Sequence, residues 1–341
     1  MKFLFLGAGA IGTYVGGSLA AGGHRVCFTE RPDVAAQLSE RGLVLHIGGE
    51  QRSVQTAQYF SSTAEALDLC SPDLVVVALK SFDTAPAVQA LVDTARPVPP
   101  ILTLQNGVDN EATIAGIVGP GRVLSGTVTS AVSKPRLGEI VEEKHRGLGV
   151  ALGHPLVGPL VEALNEAGLD ARTFPEAGPM KWSKLLTNLT GNATSAILDM
   201  PVGALFADRR SYQIEVAVLR ECLAVMRALG HRPVNLPGPP VRLLALAAER
   251  VPRLVAQPLL TRALGAGRGD KMPSFHIDLH SGRGQTEVRW LNGAVAAHGE
   301  KLGVPTPVNR MLTDVLESLS AGTENLGRFR GDPQALLDLL K

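Results

Sequence analysis

Three glycines near the N-terminus, Gly7, Gly9 and Gly12, stand in G-x-G-x-x-G spacing within FLFLGAGAIG. In a strand–turn–helix context this spacing cradles a pyrophosphate. The first glycine permits the tight turn, the second lets phosphate approach the backbone, and the third lets helix and strand pack closely. The helix start adds unpaired N–H groups and the positive end of its dipole. The expected cofactor loop is therefore Gly7, Ala8, Gly9, Ala10, Ile11 and Gly12. The motif alone is weak evidence. Here an apolar strand precedes it, a helical run follows it, and a second strand, HRVCFTE, comes at the expected distance. At the end of that strand Glu30 and Arg31 pull in opposite directions. A carboxylate there suits the ribose 2′-OH of NAD, and a guanidinium suits the 2′-phosphate of NADP. The bidentate fit of guanidinium to phosphate favours NADP(H). Glu30 keeps NAD open, and a solvated loop charge remains the plain alternative for Arg31.

Lysine is scarce, with nine in 341 residues, and two stand out. Lys80 closes the apolar strand DLVVVALK, at the carboxyl edge where open α/β sheets bind ligands. Lys184 lies in the helical run MKWSKLLTNLTGN, where Lys184, Asn188 and Asn192 are spaced i, i+4, i+8 on one expected stripe. Such a stripe aims an ammonium and two amides into a cleft, or it is a solvated helix face. An ammonium beside a carbonyl stabilises the negative charge left on oxygen when hydride reaches carbon, and then supplies the proton.

Two other clusters invite chemistry. His276 and His280 in HIDLH have metal-ligand spacing on a helix, but no third ligand stands at a motif distance. No metal is expected, and the pair reads as helix surface or cleft lining. GAGRGD at 265–270 is glycine-rich with no strand before it, and reads as a loop.

The elements that must position these groups fall into two kinds. Up to about residue 171, apolar strands (FLFLG, RVCFTE, DLVVVAL, ILTLQNG, RVLSGTVTSAV) alternate with helical stretches, such as TYVGGSLAAGG, read as amphipathic. This is the pattern of a mostly parallel sheet with helices on both faces. GEIVEE and GLGVALG look like hairpin strands appended to the same sheet. From Met180 on, long helix-period stretches dominate. The expected architecture is an α/β Rossmann-type N-terminal domain over 1–175 and an all-α C-terminal domain over 176–341.

Composition narrows the classes. The chain is 45% hydrophobic and 19% charged, the profile of an ordinary globular protein. A net charge of +1 gives no electrostatic case for a nucleic-acid or membrane partner. The opening MKFLFLG has too short an apolar run for a signal peptide, and no stretch approaches the roughly 20 apolar residues of a membrane span. Cys27, Cys70 and Cys222 are scattered without a C-x-x-C spacing and read as small buried hydrophobes in a reducing compartment. A cytoplasmic location is the resulting expectation.

Taken in order, GAGAIG at 7–12, Arg31, VALKSF with Lys80, QNGV with Asn106, KWSKLLTN with Lys184 and Asn188, then Asn192, KMPSFHIDL with Ser274 and TEVRWLNG with Glu287 resemble the ketopantoate reductase (2-dehydropantoate 2-reductase) family over nearly the whole chain. The resemblance implies that Gly7, Gly9, Gly12 and Arg31 hold NADPH, with Lys80 and Asn106 beside the nicotinamide end. It implies Lys184 as the catalytic acid, and Asn188, Asn192 and Ser274, with Asn106, as substrate ligands. Glu287 would bind on the nicotinamide-ribose side or orient the active-site network. The family site lies in the cleft between its two domains. The implied partner is a small-molecule 2-keto acid, and the final helices are candidates for a homodimer contact. Two alternatives stay open: a reductase of another 2-keto acid with the same architecture, and a non-catalytic NADP-binding sensor. The segment 231–272 is longer than expected for the family and rich in Pro, Arg and Leu.

Overall fold

Burial of the apolar runs organises the chain into two units. The computed structural model describes residues 1–268, 272–282 and 284–341. One unit comprises Met1–Lys181 with Leu236–Pro239, the other Trp182–Asn235 with Pro240–Lys341.

In the first unit the strands are β1 (Lys2–Leu6), β2 (Arg25–Thr29), β3 (Leu43–Ile47), β4 (Glu50–Val54), β5 (Gln58–Phe60), β6 (Leu74–Val77), β7 (Ile101–Thr103), β8 (Val123–Val128), β9 (Ala131–Arg136), β10 (Glu139–Lys144), β11 (Leu148–Ala151) and β12 (Ala171–Phe174). Eight of them form one sheet in the order β12-β11-β8-β7-β6-β1-β2-β5. Neighbours run parallel except β8 and β11. All four residues of β6 are buried, as a strand covered on both faces requires. The helices are α1 (Ala10–Ala21), α2 (Pro32–Arg41), α3 (Thr63–Cys70), α4 (Thr84–Val92), α5 (Asn110–Val118) and α6 (Val157–Glu166).

A second sheet of four strands, β4-β3-β10-β9, revises two expectations. GEIVEE forms β10, which pairs with β3 and β9 in this smaller sheet, while the next run, β11, returns to the large one beside β8. The two runs therefore belong to different sheets. Helix α1 is also not amphipathic: it is buried without interruption from Gly12 to Ala20. It packs on the large sheet and also contacts β3, β9 and β10, so neither side is left to water. The buried Tyr14 hydroxyl donates to Glu142 on β10; burial, reinforced by that carboxylate, holds it well above its ordinary pKa.

The cysteine reading is corrected in part. Cys27 in β2 and Cys70 at the end of α3 form a disulfide, with Cα atoms 6.6 Å apart and a sequence separation of 43. Helix α3 packs against β2, which brings together two residues that no spacing rule connects. Cys222 is a free, fully buried thiol whose burial pushes its pKa up, as an inert hydrophobe. Closing a loop of this length restricts the unfolded chain. Reduction is therefore expected to lower unfolding free energy by about 2–4 kcal/mol. Urea titrations with and without a reductant measure it, and superimposable curves would show that the crosslink contributes nothing.

The second unit continues with helices α7 (Ala177–Leu189, whose first turns belong to the first unit), α8 (Asn192–Leu198), α9 (Val202–Ala207), α10 (Arg209–Ala228), α11 (Val241–Glu249), α12 (Arg253–Arg268), α13 (Ser274–His280), α14 (Asn292–Leu302), α15 (Pro307–Ser320) and α16 (Pro333–Asp338). No strand occurs in it among the described residues. Residues 265–268 of GAGRGD belong to α12 rather than to a loop, and Gly269 and Asp270 lie outside the described residues. Lys271 of the KMPSFHIDL block also lies outside them.

Candidate active site

In-register parallel pairing brings four loops to one edge of the large sheet. Leu6 pairs with Thr29 and Val77, and Val77 with Thr103, so β1, β2, β6 and β7 end level. The chain winds outward from β1 to β2 and β5, then returns to β6 on the other side of β1. This is the topological switch point, where a ligand crevice opens at the strand carboxyl ends. The glycine loop, Glu30–Arg31, Ala78–Lys80 and Gln105–Asn106 all follow those strand ends.

The glycines have steric reasons to be there. Gly7 has φ +93°, and a Cβ on it would sit 2.5 Å from the Leu79 side chain. A Cβ on Gly12 would lie 2.1 Å from the Gly7 carbonyl oxygen. Gly9, by contrast, meets only the Ala78 carbonyl at 3.8 Å and forms the N-cap of α1 with no side chain in the way.

Glu30 and Arg31 take separate positions. The Glu30 carboxylate accepts the Ala8 N–H at 2.6 Å, and its other oxygen accepts the Arg31 N–H at 3.3 Å. Arg31 is the N-cap residue of α2; its side chain is 76% exposed, with Asp33 at 3.9 Å. Lys80 stands three residues beyond the end of β6, at the start of the 3-10 turn Ser81–Asp83, and is half-buried.

A buried polar network joins the Lys80 and Asn106 loops. The Ser81 hydroxyl donates to the Asn106 carbonyl at 3.1 Å, and the Asn110 amide donates to the same carbonyl at 2.6 Å. Gln105 donates to the Leu79 carbonyl at 3.0 Å and to Thr84 at 2.8 Å. Beneath these loops lies Lys181, 3% exposed. Its ammonium donates to the Gln105 carbonyl at 2.8 Å and the Gly126 carbonyl at 3.2 Å, and pairs with Glu111 at 2.9 Å. The sequence reading passed over Lys181, Gln105 and Asn110. Lys181 carried a usable signal: it is one of nine lysines, set among apolar residues of a helix.

The second unit divides the expected stripe. On α7, Lys184, Thr187 and Asn188 are half-buried while Leu185, Leu186 and Leu189 are buried, so Lys184 and Asn188 share one face. Asn192 is not on it. The helix stops at Leu189; Gly191 takes φ +64°, where a Cβ would press on Val202 at 2.9 Å, and its N–H is accepted by the buried Glu215 carboxylate at 2.6 Å. Asn192 instead begins α8. It is buried, accepts the Phe275 N–H at 3.1 Å and contacts the Ser274 hydroxyl at 3.4 Å, so its amide holds the start of α13. Ser274 itself is exposed. Glu287 is buried, at the start of the 3-10 turn Val288–Trp290.

A mostly parallel sheet with a phosphate-type glycine loop at its switch point, followed by a helical unit, defines a nicotinamide-dinucleotide-dependent class of oxidoreductase. Two family models match the chain: ketopantoate reductase PanE/ApbA over residues 3–152, and ketopantoate reductase PanE/ApbA C terminal over residues 178–320. The chain belongs to the ketopantoate reductase family, whose members are oxidoreductases acting on a CH–OH group. A curated 2-dehydropantoate 2-reductase of Pyrococcus horikoshii is 26% identical over 332 residues, spanning 95% of this chain and 100% of that protein. The crystal structure of a PanE/ApbA family ketopantoate reductase from Ralstonia eutropha JMP134 superposes with a TM-score of 0.80 at 26% identity, covering 95% of this chain and 100% of the other. The ternary structure of D-mandelate dehydrogenase with NADH and anilino(oxo)acetate shares the fold, with a TM-score of 0.76 at 20% identity over 94% of this chain and 99% of the other.

Proposed function

We infer that the protein reduces 2-dehydropantoate to (R)-pantoate with NADPH, a step toward pantothenate and coenzyme A. The observation that carries this reading is the two-part family match over residues 3–152 and 178–320, with Lys184 and Asn188 on one half-buried helix face within the second part. The dinucleotide, when bound, supplies the hydride. Gly9 and the N-terminus of α1 present backbone amides to its pyrophosphate. Lys80 and Asn106 line the nicotinamide side from the joined loops, and Glu287 binds on the nicotinamide-ribose side or orients the active-site groups. The Lys184 ammonium stabilises the charge developing on the ketone oxygen and then gives it a proton. Asn188 and Ser274 bind the carboxylate and hydroxyl of the substrate. Asn192, with its amide committed to the start of α13, positions Ser274.

NADP is favoured over NAD by the separation at the end of β2. Glu30 is drawn onto the Ala8 amide while Arg31 extends into solvent, where a 2′-phosphate would find it. Arg31→Ala is expected to raise the KM for NADPH about 10–100-fold, the worth of hydrogen bonds to a charged group, and to leave the KM for NADH nearly unchanged. Steady-state kinetics with both cofactors measures this, and an equal rise in both would remove Arg31 from the 2′-phosphate.

A homodimer belongs to the same reading, although the three most exposed large apolar side chains among the described residues (Leu243, Leu254 and Leu259) lie on α11 and α12 rather than on the final helices. The test of the substrate is a panel of 2-keto acids followed by NADPH absorbance. Strong preference for 2-dehydropantoate is expected. Preference for an aryl 2-keto acid would move the protein to a different ketone on the same fold, and no turnover with any would leave a cofactor-binding sensor.

A further inference from the structure

The histidine pair in HIDLH acquires in the fold the third ligand that the sequence lacks. Asp199 is the C-cap residue of α8, 77 residues before His276 in the chain, and its backbone adopts the left-handed conformation at φ +51°. That turn carries its carboxylate to α13, where Oδ1 lies 2.7 Å from His276 Nε2. His280, one turn further along α13, sets its ring centroid 4.2 Å from that of His276, the two planes tilted by 42°. One ligand atom from each of Asp199, His276 and His280 lies within 4.8 Å of the others.

We propose that Asp199, His276 and His280 bind a divalent transition-metal ion of the zinc type, with water completing the coordination. Two neutral imidazoles and one carboxylate are the donor set of an open zinc site. Donors at the usual distance of about 2.1 Å from a tetrahedral ion stand roughly 3.4 Å apart. The widest separation in the cluster must therefore close by up to about 1.4 Å while the Asp199–His276 pair opens from 2.7 Å, and His280, the most exposed of the three, has the rotational freedom to adjust. Arg330 pairs with the other carboxylate oxygen of Asp199, Oδ2, at 2.8 Å and so leaves Oδ1 to the ion. The ion replaces the proton that His276 shares with Asp199; this proton passes to the other ring nitrogen or to buffer. Side-chain exposures of 27% for Asp199 and 16% for His276 leave a path from solvent.

The site would act as a clip. Asn192 already ties the start of α8 to the start of α13, and the ion would tie the end of α8 to the body of α13. The helix that begins with Ser274 is then fixed at two points.

The test is calorimetric titration of zinc chloride into the full-length protein after treatment with a chelator, repeated with cobalt chloride to read the visible absorption of the bound ion. One zinc per chain is expected, with affinity at least tenfold weaker in His280→Ala and in His276→Ala. His280 is exposed, so the first variant keeps its fold by circular dichroism if the site is the only thing lost. Two results overturn the proposal: a wild-type chain that takes up no zinc, in which case the cluster is a hydrogen-bonded ion pair only, or zinc uptake unchanged in both variants, which places the ion elsewhere.

Discussion

Replacing Lys184 by alanine is expected to lower kcat by about 10²–10⁴-fold, the usual worth of a positioned general acid, while cofactor binding and stability stay close to wild type. The side chain is half-buried on a helix face, and alanine is the best helix former, so α7 loses little from the exchange. The loss falls on kcat because the ammonium is needed most when charge has built up on the ketone oxygen. Lys184→Arg keeps the charge but resists giving up a proton, and is expected to recover only part of the rate. Turnover of Lys184→Ala matching wild type in a stopped-flow NADPH assay would take Lys184 out of the chemistry.

The neighbouring lysine should behave in the opposite way. Lys181→Met is expected to cost about 3–5 kcal/mol of stability, the penalty for breaking a buried ion pair. Its removal strands the Glu111 carboxylate and leaves the Gln105 and Gly126 carbonyls without their shared donor. Methionine keeps the length and apolar bulk, which confines the effect to the charge. Urea unfolding of wild type and variant measures it, and a loss below about 1 kcal/mol would mean that the pair is too well hydrated to count. Because Gln105 directly precedes Asn106, partial loss of kcat should accompany the destabilisation.

Two lysines three residues apart thus differ in burial through which side of α7 each faces. The residue types at 181–189 suggested a helix but not its orientation, and the scarce lysine on the buried side was overlooked. What local pattern could reveal was legible: the glycine loop, the buried strand β6 and the place of Lys80 beyond its carboxyl end. The β3–β4 hairpin was legible too but missed, since Ile47 and Glu50 flank Gly48 and Gly49, both at positive φ, the demand of a two-residue hairpin turn. That hairpin supplies the small sheet that GEIVEE, as β10, joins through β3.

Three other features depend on long-range packing. Gly191 inside MKWSKLLTNLTGN was a warning of a helix break, but the acceptor that fixes it, Glu215, comes from α10. The Cys27–Cys70 pairing and the Asp199 carboxylate beside HIDLH likewise join residues 43 and 77 apart in the chain. Spacing rules describe neighbours along a helix or strand, and none of these pairs are neighbours in that sense.

Glu30 has a consequence for the energetics of cofactor capture. By accepting the Ala8 amide it holds the glycine turn in shape before any dinucleotide arrives. The entropy of ordering that turn is then spent during folding, so binding draws on a preorganised surface, and arrival should be limited by encounter rather than by rearrangement of the loop.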